Sequence, residues 1–162
     1  MIIYLDYDGV LHPDGVYLQK GVPVLKGDQA HLGLFVWMPI LETILADFPL
    51  VRVRLSTSWV YVKRFSYAKG RLSALLQARV DGSTFHTMMP DYEWEEMTRY
   101  EQILSDVNRK KYTNWLAIDN DDYGWPDSER HHLVKTENLL GLGDPSAQAD
   151  LQAKLAILCL NN

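Results

Sequence analysis

The sequence predicts an α/β protein, a three-layer doubly wound parallel sheet. Three short apolar runs end in a polar residue: "IIYL" runs into Asp6, "VRVRL" into Ser56 and "WLAI" into Asp119. Continuous apolar strands of this length suit a parallel sheet covered on both faces. Between and after the runs lie stretches with helical periodicity, as the crossovers of a parallel sheet require. With 162 residues the chain is read as one domain, 1–162, large enough to bury a substantial core.

The elements follow in order. Ile2–Leu5 is the first strand. Residues 12–37, with Gly, Pro and Tyr interspersed, suit a hairpin or flap over the strand ends. Pro39 fits a first helical position, with Ile40, Leu41, Ile44, Leu45 and Phe48 behind it at helical spacing. After the second strand, residues 58–98 form a short insert: a helix broken near Gly70, then loop-like sequence through "DGSTFHTMMPDYEWEE". Tyr100, Ile103, Leu104 and Val107 carry a clean i, i+3, i+4, i+7 stripe, and the third strand ends at Asp119. "HLVKTE" at 132–137 is a further strand, and Asp144 with Pro145 opens a last helix through Leu158. Neither insert is long enough for a separate domain, so little or no cap covers the strand ends.

Composition narrows the function classes. The chain is 47% hydrophobic and 23% charged, without repeat or low-complexity tract, and no apolar run nears the roughly 20 residues of a membrane span. The lone Cys159 excludes an internal disulfide and a cysteine zinc site. A strand beginning at Ile2 leaves no room for a leader segment, and a cytoplasmic protein with no membrane partner is expected. The net charge of −5 argues against general coating of nucleic acid. The charge is uneven, however. Between Val51 and Val80 stand seven basic residues and no acid, followed by an acidic stretch from Asp81 to Glu101. The basic run is either a solvated face or a surface that receives an anionic substrate. Nothing in the sequence fixes the oligomeric state.

In open α/β sheets ligands bind outside the carboxyl ends of the strands, where Asp6, Asp8, Ser56 and Asp119 fall. Residues i and i+2 of an extended segment face one side, so Asp6 and Asp8 converge while Tyr7 points away. Gly9 lets the chain turn sharply behind them. Two carboxylates this close repel unless a cation neutralises them or one holds a proton. Magnesium, a hard cation that takes one or two carboxylates together with substrate phosphate, is the economical answer.

These residues resemble a known family. "DYDGVLH" looks like the first motif, Asp-x-Asp-x-Thr/Val, of the haloacid dehalogenase (HAD) superfamily of phosphohydrolases. Ser56 in "LSTSW" is similar to the second motif, Arg99 at the head of "RYEQIL" stands where the family carries a basic residue, and "LAIDNDD" looks like the acidic fourth motif. The phrasing of "DGVLHP", "LSTSW" and "AIDND" most resembles the small HAD domains of the Swiss Army Knife RNA-repair group. The resemblance implies a HAD-like Rossmannoid fold and a magnesium-dependent phosphomonoesterase.

By that resemblance Asp6 would be the nucleophile, Asp8 the general acid and base, and Ser56 and Arg99 the groups that bind and neutralise the phosphoryl group. Gly9 and Thr57 would line the phosphate site. Asp6, the backbone carbonyl of Asp8 and an acid of the fourth motif would hold Mg2+, with Asp119 ranked first, Asn120 second and Asp122 a close alternative; Asp121 lies among them. Arg99 departs from the family's usual Lys and brings a fork of donors instead of a point charge. Lys110 and Lys111 stand too near the third strand to replace it. The substrate would be a nucleotide, a nucleic-acid end, as in nucleic acid repair, or a small phosphorylated metabolite. A non-catalytic phosphate- or nucleotide-binding module is the reading from another class. A receiver-type signalling domain is disfavoured, because its phosphoacceptor follows a later strand.

Other residues read as structural. His12 either contacts a leaving group or caps the loop, with the loop preferred; His131 and His132 lack a third ligand at metal spacing, and "GLGDP" at 141–145 is a turn into the last helix. Trp59, Tyr61, Trp94, Tyr123 and Trp125 are either core or platforms for a base.

Overall fold

A computed structural model describes residues 1–86 and 90–160. Five parallel strands form one sheet: β1 (Ile2–Leu5), β4 (Arg52–Leu55), β5 (Val80–Ser83), β6 (Trp115–Asp119) and β7 (Leu133–Lys135), in the order β5-β4-β1-β6-β7. The chain starts in the central strand, winds outward through β4 to β5, and crosses to β6 and β7. The winding therefore reverses beside β1, the position where open α/β sheets bind ligands.

Alternation along the strands divides the core into two layers. Ile3 and Leu5 of β1, Leu116 and Ile118 of β6 and Val53 and Leu55 of β4 pack with Leu41, Ile44 and Leu45 of α1 (Met38–Ala46) and with Leu151 and Leu155. Those two leucines belong to the last helix, Pro145–Leu160. On the other face, Ile2, Tyr4, Trp115 and Ala117 meet Ile103 and Val107 of the helix Arg99–Lys110. Burial on both faces is what the continuous apolar runs required.

The segment after β1 forms a hairpin, β2 (Val16–Gln19) and β3 (Val22–Leu25), leaning over the strand ends. Residues 58–98 differ from the expectation. Three short helices, α2 (Ser58–Lys63), α3 (Phe65–Gly70) and α4 (Ala74–Arg79), lead directly into β5, so "DGS", read as loop-like, is the edge of the core sheet. The same loop-like stretch also yields a short helix, α5 (Asp91–Glu96); its residues 87–89 lie outside the described ones. The helices Arg99–Lys110 and Pro145–Leu160 are α6 and α7. No described helix is long and apolar enough to cross a membrane.

The basic run proves mostly structural. Arg54 is buried against Asp106, Arg79 donates to the carbonyls of Leu45, Phe48 and Val51, and Lys69 donates to Val80. Arg71 lies over the Phe35 ring, and Lys63 binds the carbonyl of Gly21 in the hairpin turn. Of these seven residues only Lys63 borders the cleft beside Asp8.

Candidate active site

Strand register assembles the site. Leu5 pairs with Leu55 on one side and with Ile118 on the other. The ladder continues one step further, Asp6 N–H donating to Ile118 at 3.1 Å and Ser56 N–H to Leu5 at 2.9 Å. The next residue of each strand, Asp6, Ser56 and Asp119, therefore stands beside the others at the centre of the sheet. All three are buried. The Ser56 hydroxyl has no hydrogen-bond partner among the described residues.

A fourth side chain reaches in from α6. Thr98 and Glu101 close a capping box around the helix start, which fixes Arg99 as its first residue. From there Arg99 places Nη2 3.4 Å from Asp6 Oδ2 and Nε 3.0 Å from Asp119 Oδ2. Its Nη1 donates to Gln102 Oε1 at 3.0 Å, and the buried Gln102 amide in turn donates to the carbonyls of Trp94 and Met97. Gln102 thus orients the guanidinium; its spacing of three from Arg99 was visible in the sequence, but only the fold shows that it is buried.

Two buried carboxylates share this one guanidinium. Burial pushes Asp6 up to about 6, helped by the charge of Asp8 and opposed by Arg99 and by hydrogen bonds from the Tyr7 N–H and the Thr57 side chain. Burial and the neighbouring charge of Asp6 likewise hold Asp119 well above the ordinary carboxylate range. For Arg99, burial works against the charged form, but Asp6 and Asp119 outweigh it and raise the value. With both acids ionised the trio carries one excess negative charge in a desolvated place.

Asp8 lies beside this group and is clamped. Its Oδ2 accepts from Trp59 Nε1 at 2.8 Å, and its Oδ1 lies 3.1 Å from His12 Nε2. His12 is fully buried against the Phe35 and Trp59 rings, and its Nδ1 has no partner among the described residues. Either tautomer leaves Nδ1 unsatisfied, so Nε2 can donate to an ionised Asp8 or accept from a protonated one. Sequence reasoning assigned His12 to the loop and Trp59 to core or base stacking; the contact of both with Asp8 follows from the fold alone. Tyr7 points away as expected, its hydroxyl donating to the carbonyl of Ala68.

The turn behind the acids is tightly specified. Gly9 has φ of +66°, and a Cβ there would lie 2.5 Å from the Asn120 side chain. Thr136 Oγ1 donates to the Gly9 carbonyl at 2.7 Å. Thr57 caps α2, accepting from Trp59 N–H. Within the fourth motif, Asn120 packs on Gly9 and donates to Asn138, while Asp122 pairs with Arg130 at 2.8 Å. Asp121 N–H donates to Asp119 Oδ1, and Asp121 Oδ1 accepts from Tyr123 N–H. Asp119 is thus the residue of that motif brought against Asp6, and Asp122 is held outside the group by its ion pair.

The remaining candidates resolve simply. Trp59, Trp94 and Trp125 are buried, Tyr61 is bonded to Glu95, and Tyr123 is exposed. His132 stacks on Trp115 and contacts its carbonyl, and Gly141 lies under the Trp37 ring at the turn into α7.

Among the described residues no three His, Cys, Asp or Glu side chains gather as a metal site by themselves. What Asp6 and Asp119 offer is a pair of hard oxygen donors with uncompensated charge, which fits a divalent ion completed by backbone, water or substrate oxygens. A family model described as the HAD domain in Swiss Army Knife RNA repair proteins matches residues 2–147 of the 162. No curated protein and no solved structure matches the chain.

Proposed function

We propose that this chain, which belongs to the family of HAD domains in Swiss Army Knife RNA repair proteins, hydrolyses phosphomonoesters by way of a phosphoryl group carried on Asp6. Membership of the family implies phosphatase-type hydrolase activity. The observation that carries the mechanism is the row of Asp6, Ser56 and Asp119 at the ends of three neighbouring strands, with Arg99 set between the two acids.

In the first half-reaction a carboxylate oxygen of Asp6 attacks phosphorus and the bond to the leaving oxygen breaks. Asp8 supplies the proton that the leaving alcohol needs. In the second half, water attacks the same phosphorus and gives its proton to Asp8. The acyl phosphate bond breaks, and inorganic phosphate leaves with Asp6 restored. Arg99 faces both the nucleophile and the incoming phosphoryl oxygens, and the unpartnered Ser56 hydroxyl is free to donate to them. Gly9 keeps the backbone turn close to the phosphate, and Thr57 steadies Asp6. Asp6 and Asp119 would hold Mg2+ with the Asp8 carbonyl, and the ion would supply charge neutralisation on the phosphoryl oxygens.

The substrate we propose is a nucleotide or the phosphorylated end of a nucleic acid. The family's description supports it, as does the cleft at Asp8, which is flanked by a hairpin instead of a cap domain. With Arg54, Lys63, Lys69 and Arg79 engaged in contacts within the chain, contact with a terminus is favoured over grip on a long strand.

The test compares hydrolysis of an aryl phosphate by wild type and Asp6→Asn, with and without Mg2+. The proposal expects metal-dependent turnover that the substitution abolishes. Turnover that survives in Asp6→Asn, or none in wild type with Mg2+, overturns it.

A further inference from the structure

We infer that the cleft between the β2–β3 hairpin and α2 seats the leaving group and selects one flat, uncharged ring there, the nucleobase next to the scissile phosphate. This rests on the reading of Asp8 as the group that protonates the leaving oxygen. A cavity of about 150 Å3 lies between the hairpin and α2, and Asp8 is part of its lining. The Asp8 side chain keeps 21% of its surface accessible. The cavity is therefore continuous with the atom that meets the departing alcohol.

Apolar side chains make up the facing walls. Hairpin register pairs Leu18 with Pro23, which puts both on one face, and α2 contributes Trp59 and Val62 to the same cavity. Leu18 and Val62 remain 52% and 53% exposed although both line a concave space. Filling that space with a ring removes both from water, an effect of about 25 cal/mol per Å2 covered. The volume admits one ring system and falls below the roughly 300 Å3 of a site for a larger ligand.

The polar lining fixes the kind of selectivity. Lys63 is already engaged, its ammonium donating to the Gly21 carbonyl at 2.7 Å and lying 5.0 Å over the Tyr67 ring. That bond also ties the hairpin turn to α2 and holds the cleft open in advance. Besides Asp8 and Lys63, the lining offers the hydroxyls of Ser58 and Tyr17. Two hydroxyls on separate elements, α2 and the hairpin, do not make the paired donor and acceptor that discrimination of a base edge requires. The ring is therefore held by its faces, and the identity of the base matters little.

The experiment measures kcat/KM for the four common nucleoside monophosphates and for glycerol phosphate in wild type, Leu18→Ser and Val62→Ser. Wild type is expected to favour all four nucleotides to a similar degree. In each variant the nucleotide-to-glycerol ratio should fall about tenfold, mainly through KM. Leu50→Ser, exposed at the opposite end of the sheet, should leave that ratio unchanged. An unaltered ratio in both cleft variants, or a wild type that prefers glycerol phosphate, overturns the inference. Calorimetric titration with a nucleoside carrying no phosphate separates it from the catalytic reading. Binding to wild type that both cleft variants lose supports the ring seat even where no ester is hydrolysed; absence of binding, with no nucleotide preference, removes it.

Discussion

The clamp on Asp8 makes the most specific residue-scale prediction. Trp59 Nε1 and His12 Nε2 each meet one carboxylate oxygen, so the group proposed to give and then retrieve a proton cannot rotate away. Trp59→Phe keeps an aromatic ring in the core and removes the indole donor. Steady-state rates with alkyl and nitrophenyl phosphates should show about a tenfold loss of kcat for the alkyl ester, whose departure needs a proton, and little change for the aryl ester. Equal loss on both would assign Trp59 to packing alone. Asp6 makes a second prediction. Its folded value of about 6 lies above that of an unfolded carboxylate near 4, so the fold favours the protonated form. The stabilisation is present below about pH 4 and lost as pH rises to about 6, leaving a cost on the order of 3 kcal/mol at neutrality. Asp119 is displaced in the same direction. In chelator, the Tm of wild type should fall across that window, while Asp6→Asn should be flatter and more stable at pH 7. A lower Tm for Asp6→Asn at pH 7 would contradict this. Asp6, Asp8 and Asp119 were legible in the sequence because acids directly behind buried strands have few structural uses. His12 and Trp59 were not, because their partner is reached through folding.

Among the elements, β4 and α6 are joined by a buried polar network that bears on the site. Asp106 of α6 accepts from Tyr4 Oη at 2.9 Å and from Arg54 Nη2 at 3.0 Å, and is also paired with Arg54 Nε and with Arg109. Arg54→Met leaves the buried Asp106 with Tyr4 and the half-exposed Arg109 alone and should cost about 3 kcal/mol in urea denaturation, with Arg54→Met/Asp106→Leu recovering part of the loss. A single variant as stable as wild type would show that the network adds nothing to the fold. Because Arg99 heads the same helix, loosening α6 also moves the guanidinium between Asp6 and Asp119. The network explains what sequence reading missed at β5. Asp81-Gly82-Ser83 has the chemistry of a turn. Gly82 is in fact the place where Arg54 crosses the edge strand, a Cβ there lying 2.4 Å from its Nη1, and Asp81 pairs with the same guanidinium at 3.4 Å. The central strands were legible because each is an unbroken apolar run; the edge strand is built around another strand's arginine.

At the scale of the whole molecule, topology turns local sequence into a site. Winding outward from a central β1 and back to β6 sets three strand ends abreast, so residues more than a hundred positions apart meet without any loop having to hold them. The sheet carries Asp6, Ser56 and Asp119, and the hairpin and α2 flank the cleft at Asp8. The net charge of −5, with several residues of the basic run engaged in contacts within the chain, leaves Arg99 and the divalent ion that the acids would hold, instead of a broad basic face, to attract a phosphorylated ligand. The central claim is that the phosphoryl group passes through Asp6. Mass spectrometry of acid-quenched Asp8→Asn during incubation with an aryl phosphate and Mg2+ tests it most directly, since that variant should be phosphorylated faster than it is hydrolysed. The account predicts one phosphoryl group on the peptide bearing Asp6, absent from Asp6→Asn; a phosphoryl group on any other residue, or wild-type turnover with none trapped on Asp6, would contradict it.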